Sequence, residues 1–199
     1  MDWRIFHAVN DFASDDKGLA HATYAFETFG VVLYAAAVLV LWLAAAPGEE
    51  RRLKFAALSG AATGGLALLI NFAIGHVWRR PRPYQSHLHV YHLTSSRDPS
   101  FPSDHASAAF GIAFGIYAFD RRAGRVFIAI ATLIAVGRLV VGAHYLSDVL
   151  ASLVVAAVAA ALVARFAKPL LYRVIVLLER LSDPLVRPFH EWRAQRSAA

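Results

Sequence analysis

Two histidines, four arginines and two carboxylates stand where a helical reading of this sequence brings them to one level. His144 precedes Asp148 by four residues, so on a helix the carboxylate can hold one ring nitrogen and leave the other free. Such a pair makes either a general base or a nucleophile. His105 supplies a second imidazole, within PSFPSDHASAAFG from Pro99 to Gly111, at the head of a different apolar segment. Two imidazoles on separate helices fit two-step phosphoryl transfer: one is attacked by phosphorus, the other protonates the leaving oxygen. Arg79, Arg80, Arg82 and Arg138 add guanidinium groups, which bind phosphate in bidentate fashion. A helix starting near Ser103 adds backbone N–H donors and a positive dipole end. These types specify an anion site, and phosphate is its natural guest.

The elements that must carry these residues lie in lipid. Of 199 residues 58% are hydrophobic, above the roughly 45–50% of soluble domains. Mean hydropathy is +0.48. Residues 28–46 and 55–78 contain no Asp, Glu, Lys or Arg and reach the ~20 residues a spanning helix needs. Shorter apolar runs cover 106–119, 126–142 and 149–164, the second with Arg138 inside it. Each becomes a span if its polar end residues belong to a membrane-embedded site. The expected fold is therefore an all-α integral membrane protein, one domain over 1–199, with a bundle of about five transmembrane helices and amphipathic N- and C-terminal segments. Residues 1–23 read as an interfacial segment, 24–164 as the transmembrane core and 165–199 as a basic tail suited to the interface rather than to a sixth span. Gly60 and Gly64, and Gly111 and Gly115, have the four-residue spacing that lets helix backbones approach in lipid.

Several classes are disfavoured. Lys and Arg number 20 against 14 Asp and Glu, yet they fall between apolar runs instead of along one polar segment, so no nucleic-acid partner is expected. The absence of cysteine removes disulfides and thiolate metal sites. HLHVYH, His87 to His92, has three histidines but no accompanying carboxylate pattern, so no metal is expected. MDWRIFHAVNDFASDDKG has no apolar core and cleavage site of a removable signal peptide.

Arg51, Arg52, Lys54, Arg121, Arg122 and Arg125 fall in loops on one side of a five-span arrangement, together with the basic tail. The positive-inside rule makes that side cytoplasmic. Arg79, Arg80, Arg82, Ser103, Asp104, His105, Arg138, His144 and Asp148 then gather at the outer face. Basic residues favour the opposite side, so a shared site explains them better than solvation.

GHVWRRPRP (Gly75–Pro83), PSDH (Pro102–His105) and GRLVVGAHYLSD (Gly137–Asp148) together resemble the three motifs of the type-2 phosphatidic acid phosphatase superfamily. The resemblance implies His144 as a nucleophile forming a phosphohistidine, Asp148 as its orienting partner and His105 as the acid for the leaving group. It implies Arg82, Arg138 and Ser103 as phosphate ligands, and no cofactor. Gly75 stands where the family has Lys, Asp104 where it has Gly and Gly137 where it has Ser. Arg79 or Arg80 is the candidate to replace the missing cation. Asp104 joins the cradle only if it caps the helix or accepts a hydrogen bond from a neighbouring cation, since a bare carboxylate repels phosphate. FPSDHAS after NFAIGHVWRRPRP is similar to the bacterial undecaprenyl-diphosphate phosphatase branch. That branch implies a prenyl diphosphate lipid substrate, hydrolysed at the outer face of a bacterial cytoplasmic membrane to recycle a lipid carrier for cell-wall synthesis. The alternatives are a phosphatidylglycerophosphate or phosphatidate phosphatase and, outside enzymes, a transporter or binding protein for anionic lipid.

Overall fold

The computed structural model describes residues 2–46 and 51–197, so the expected basic loop at 47–54 lies partly outside the described residues. Among the described residues eight α-helices follow one another: α1 (Asp2–Asp15), α2 (Lys17–Ala44), α3 (Arg51–Val77), α4 (Pro83–Ser86), α5 (Asp104–Tyr117), α6 (Arg121–Val140), α7 (Leu146–Leu162) and α8 (Lys168–Ser197). A π-helical turn, Val163–Ala167, joins α7 to α8. No strand occurs among the described residues. By length and apolar character α3, α6 and the continuous run from α7 into α8 can each cross a membrane, and α2 is a fourth if its bent halves count as one span. Leu33, Leu69, Phe72, Leu133 and Val154 face outward from these helices, as lipid contact requires.

Helix boundaries follow local chemistry. Asp16 caps α2, accepting a 2.9 Å hydrogen bond from the Leu19 amide. Asp120 caps α6 through the amides of Arg122 and Ala123, both at 2.9 Å. At 14 residues, α5 rises only ~21 Å, short of the hydrocarbon core. It forms the centre of the bundle, packed against α3, α6 and α7. The glycine pairs explain how closely it sits. Gly64 and Gly111 meet, as do Gly60 and Gly115, so α3 and α5 touch backbone to backbone. A Cβ on Gly111 would lie 3.0 Å from Gly64 Cα, and one on Gly115 would lie 2.5 Å from the Ser59 carbonyl oxygen. Tyr34 ties α2 to the same centre, its hydroxyl 2.9 Å from the Ala109 carbonyl and 3.1 Å from that of Phe127.

The two ends of the bundle differ. At one, α3 and α6 finish while α5 and α7 begin, and α1, α4 and the segment 87–103 cover them. The N-terminal segment is more than an interfacial anchor: α1 buries Phe6, and Asn10 exchanges hydrogen bonds of 2.6 and 3.0 Å with the Tyr91 backbone. It ends at Asp15, and α2 follows from Lys17. At the other end α8 packs on the last turn of α2 and the first turn of α3. Lys54, almost fully buried, bridges Glu179 at 3.1 Å and Asp183 at 2.7 Å, while Trp42 donates to Ser182. The tail is thus a helix docked across the basic end, and Pro184 and Pro188 lie within it.

Candidate active site

His144 sits in the turn between α6 and α7. Gly142 makes that turn possible: its φ is +75°, and a Cβ there would lie 2.3 Å from the Tyr91 carbonyl oxygen. The turn folds back on α6, with the Ala143 and His144 amides 3.0 and 3.3 Å from the Arg138 carbonyl. His144 is thereby buried to 2% exposure with a defined ring orientation. Nδ1 lies 2.7 Å from the Ser100 carbonyl oxygen. A carbonyl only accepts, so Nδ1 carries the proton and Nε2 is the ring's acceptor. That nitrogen faces Arg82 Nη1 at 3.2 Å and Arg138 Nη2 at 3.4 Å. Burial, reinforced by Arg138 and Arg82, holds this imidazole well below the usual histidine value despite Asp148, so it is neutral at pH 7.

The expected helical His144–Asp148 pairing is corrected. The chain enters α7 only at Leu146, and Asp148 Oδ2 stands 3.7 Å from His144 Nδ1, too far for a hydrogen bond. Asp148 acts instead as a hub. Oδ2 accepts from Ser100 Oγ at 2.6 Å and the Tyr145 amide at 2.9 Å, and Oδ1 accepts from Arg80 Nη1 at 2.6 Å. Ser100, whose carbonyl aligns the imidazole, is therefore the intermediary between them.

Arg80 is the second correction. Expected among the phosphate ligands, it is committed to Asp148, to Ser147 Oγ at 2.6 Å and to Asp2 at 2.8 Å, and it stacks over the Tyr145 ring. Asp2 also caps α7, accepting from the Ser147 amide at 3.0 Å. Arg79 is exposed and lines a separate cavity of about 660 Å³ beside Gly75, where the family's Lys is missing.

Arg82, Arg138, His144, His105 and Asp104 line one cavity of about 300 Å³. The Arg82 guanidinium is positioned by the carbonyls of Asp98 at 3.1 Å and Ala143 at 3.2 Å. Ser103 is the N-cap residue of α5; its amide donates to Ser152 Oγ at 2.9 Å, and its own hydroxyl is buried without a partner among the described residues. Asp104, in the first turn of α5, accepts from the Asn71 amide at 2.9 Å. Its partner is thus a neutral side chain on α3, not a cation, and the helix dipole supplies the favourable charge. The histidines of HLHVYH go separate ways, His87 stacking on Trp3 and His92 on Tyr84.

Four residues at this end escaped the sequence reading. Ser100, Asp2 and Asn71 serve as described, and Glu27 of α2 reaches the cavity wall, buried, ion-paired with Arg138 and 3.9 Å from His105 Nε2. Ser100 lies inside the quoted PSFPSDH stretch, and a lone Glu within an apolar span is itself a signal of intramembrane function. Nothing local marks Asp2.

The chain is similar to several known proteins. The chain is 29% identical to "Undecaprenyl-diphosphatase BcrC" of Bacillus subtilis over 190 residues, covering 94% of this chain and 96% of that one. It is 29% identical over 116 residues to "Putative undecaprenyl-diphosphatase YbjG" of Escherichia coli, covering 58% of this chain and 57% of that one. Among solved structures, Aquifex aeolicus LpxE superposes with a TM-score of 0.67 at 18% identity, over 83% of this chain and 95% of that one. A Bacillus subtilis PAP2-type phosphatidylglycerolphosphate phosphatase gives 0.57 at 18% identity, over 84% and 86%. These two share the fold. The PAP2 superfamily profile matches residues 52–171, more than half of the chain and all three motifs, and the protein belongs to that superfamily of membrane phosphatases.

Proposed function

We propose that this protein hydrolyses a prenyl diphosphate, undecaprenyl diphosphate in the first instance, to the prenyl monophosphate and inorganic phosphate through a phosphohistidine on His144. The observation that carries the reading is the His144 ring: Nδ1 is fixed by the Ser100 carbonyl, and Nε2 points between Arg82 and Arg138. A terminal phosphoryl group between the two guanidiniums presents phosphorus to that nitrogen. The P–O bond to the leaving group breaks as the P–N bond forms, and the arginines stabilise charge on the phosphoryl oxygens. His105, which lines the same cavity, gives its proton to the leaving oxygen. Water then attacks the phosphohistidine, its proton passes to His105, and phosphate leaves with His144 restored.

The choice of substrate is supported by the name and near full-length match of the Bacillus subtilis relative, and by Gly75 and Asp104. Chemistry favours it too. A diphosphate expels a phosphate oxygen, which needs less protonation than the alkoxide of a monoester. A central helix of ~21 Å also suits a site near the lipid interface, where a headgroup reaches the arginines with its tail in the bilayer. The site end lies opposite Arg51, Lys54, Arg121 and Arg122, so the positive-inside rule puts it on the extracytoplasmic face. The test is phosphate release by purified protein across prenyl diphosphates, prenyl monophosphates and glycerolipid phosphates. Highest kcat/KM on a long-chain prenyl diphosphate is expected. Equal or better efficiency on glycerolipid monophosphates, in detergent and liposomes alike, rejects the substrate and leaves the phosphatase chemistry standing.

A further inference from the structure

Glu27 is the least expected charge in the molecule. It lies in the first half of α2, just before the uncharged run that begins at Thr28, and is 3% exposed. Oε1 pairs with Arg138 Nη1 and is also 3.9 Å from His105 Nε2. Glu27 Oε2 and Arg138 Nε are both buried with no hydrogen-bond partner among the described residues. Leaving such atoms unsatisfied is costly, and both belong to residues that line the catalytic cavity. The vacancies are complementary to a reacting phosphate: its oxygens offer Arg138 the acceptor that Nε lacks, and the His105 ring offers Glu27 a donor.

We infer that Glu27 is a positioning residue that exchanges partners during turnover, holding Arg138 before substrate binds and taking up His105 once phosphate has claimed Arg138. The inference rests on the phosphatase reading above. In its pair with Arg138 the carboxylate neutralises a buried guanidinium, which would otherwise be an unpaired charge next to a second one, Arg82. An arriving phosphate competes for the same guanidinium. As Arg138 turns to it, the freed carboxylate closes on His105 and supports the protonated ring whose proton goes to the leaving oxygen. When phosphate departs, Glu27 recaptures Arg138, and this competition loosens the product. Glu27 itself forms and breaks no covalent bond.

Two consequences distinguish this from a residue that merely holds Arg138 still. Glu27→Gln keeps the shape but removes the competing charge, so inorganic phosphate and orthovanadate inhibit more tightly, by about tenfold, the scale of one charge-assisted hydrogen bond. The same change weakens support for His105, so prenyl monophosphate turnover falls about tenfold further than prenyl diphosphate turnover. Glu27→Asp retains the charge and keeps the ratio of the two turnover rates within about twofold of the original enzyme. The measurements are inhibition constants and steady-state kcat on full-length protein in detergent, with thermal unfolding as the check on folding. Weaker inhibition by phosphate in E27Q, or an equal loss on both substrates, overturns the inference. Should Gln not be tolerated in this buried pair, a shifted turnover ratio in E27D overturns it instead. Failure of the unaltered enzyme to release phosphate from any lipid removes the phosphatase reading, a result distinct from either.

Discussion

Asp148→Asn separates two accounts of the His–Asp pair. Were the carboxylate bonded directly to the imidazole, its loss would free the wrong tautomer, and losses near 10⁴ in kcat with little change in stability would follow, as in serine protease triads. Here the Ser100 carbonyl sets the tautomer, at 2.7 Å against 3.7 Å for Asp148. Asp148 is fully buried and holds together three segments through Ser100, Tyr145 and Arg80. Removing one partner of a buried pair costs about 3–5 kcal/mol. Arg80 is a quarter exposed and retains Asp2 and Ser147, which places the cost near the lower bound, about 3 kcal/mol. For a chain of this size that is a fall of about 6–12 °C in Tm. Turnover falls by about 10²-fold, because a loosened Ser100 no longer aims Nε2.

Ser100→Ala keeps the backbone carbonyl and loses only the hydroxyl, so it costs about 1.5 kcal/mol and roughly tenfold in kcat. Since Ser100 Oγ acts through Asp148, the double variant costs little more than Asp148→Asn alone. The assay is phosphate release from a soluble-chain prenyl diphosphate in detergent, with unfolding followed in the same detergent. A 10⁴-fold loss in Asp148→Asn at unchanged Tm refutes the hub and restores the direct contact.

The other expectations concern the reaction, the fold and the topology. His144→Ala abolishes turnover, whereas His105→Ala accumulates phosphate label on His144 with a slowed monoester reaction; substantial steady-state turnover by His144→Ala removes it as nucleophile. Lys54→Met leaves Glu179 and Asp183 without their buried cation and lowers stability by about 3–5 kcal/mol, read as Tm, while turnover per folded molecule is unchanged because the pair lies at the end remote from the site. Gly115→Ala drives a Cβ to 2.5 Å from the Ser59 carbonyl and costs about 1–3 kcal/mol, with a loss of turnover as α5 shifts; wild-type Tm and rate contradict the close packing of α3 on α5. Impermeant thiol labelling of intact cells reaches a cysteine at Ser95 and misses one at Arg121; the reverse pattern puts the site in the cytoplasm.

Much of the fold was legible because lipid imposes a coarse rule: long uncharged runs become helices. Residues 55–78 nearly coincide with α3 for that reason. The glycine pairs were legible as small-residue spacing, but their partners were not, since GxxxG says that a backbone approaches without saying which one. The tail was harder. Its leucines and arginines give an amphipathic pattern that suits an interface, and only the burial of Lys54 between Glu179 and Asp183 reveals that α8 docks on α2 and α3. A charged residue in a loop-like setting reads as solvated until its partners, more than a hundred residues away, are in view.

The site shows where such reading stops, and why. His144, His105, Arg82 and Arg138 were legible because their chemistry is strong and each stands at a span end. The connections among them were not. A spacing of four suggested that Asp148 holds His144, yet the helix begins between them, at Leu146, so the geometry that spacing implies never forms. Arg80 and Arg82 differ by two residues and carry the same group, but the chain turns at Pro81 and Pro83 and sends Arg82 to His144 and Arg80 to Asp148 and Asp2. The N-terminal helix looked like an anchor because its apolar face is evident and its carboxylate is ordinary. Asp2 acquires meaning only from Ser147 and Arg80, which no periodicity relates to it. The His144 imidazole is therefore held by a chain of contacts from α1 through Arg80 and Asp148 to the Ser100 carbonyl, and every link but the last is charge-assisted. Such a chain rigidifies the His144 ring without a direct hydrogen bond from a carboxylate, which suits the nucleophile's part proposed for it.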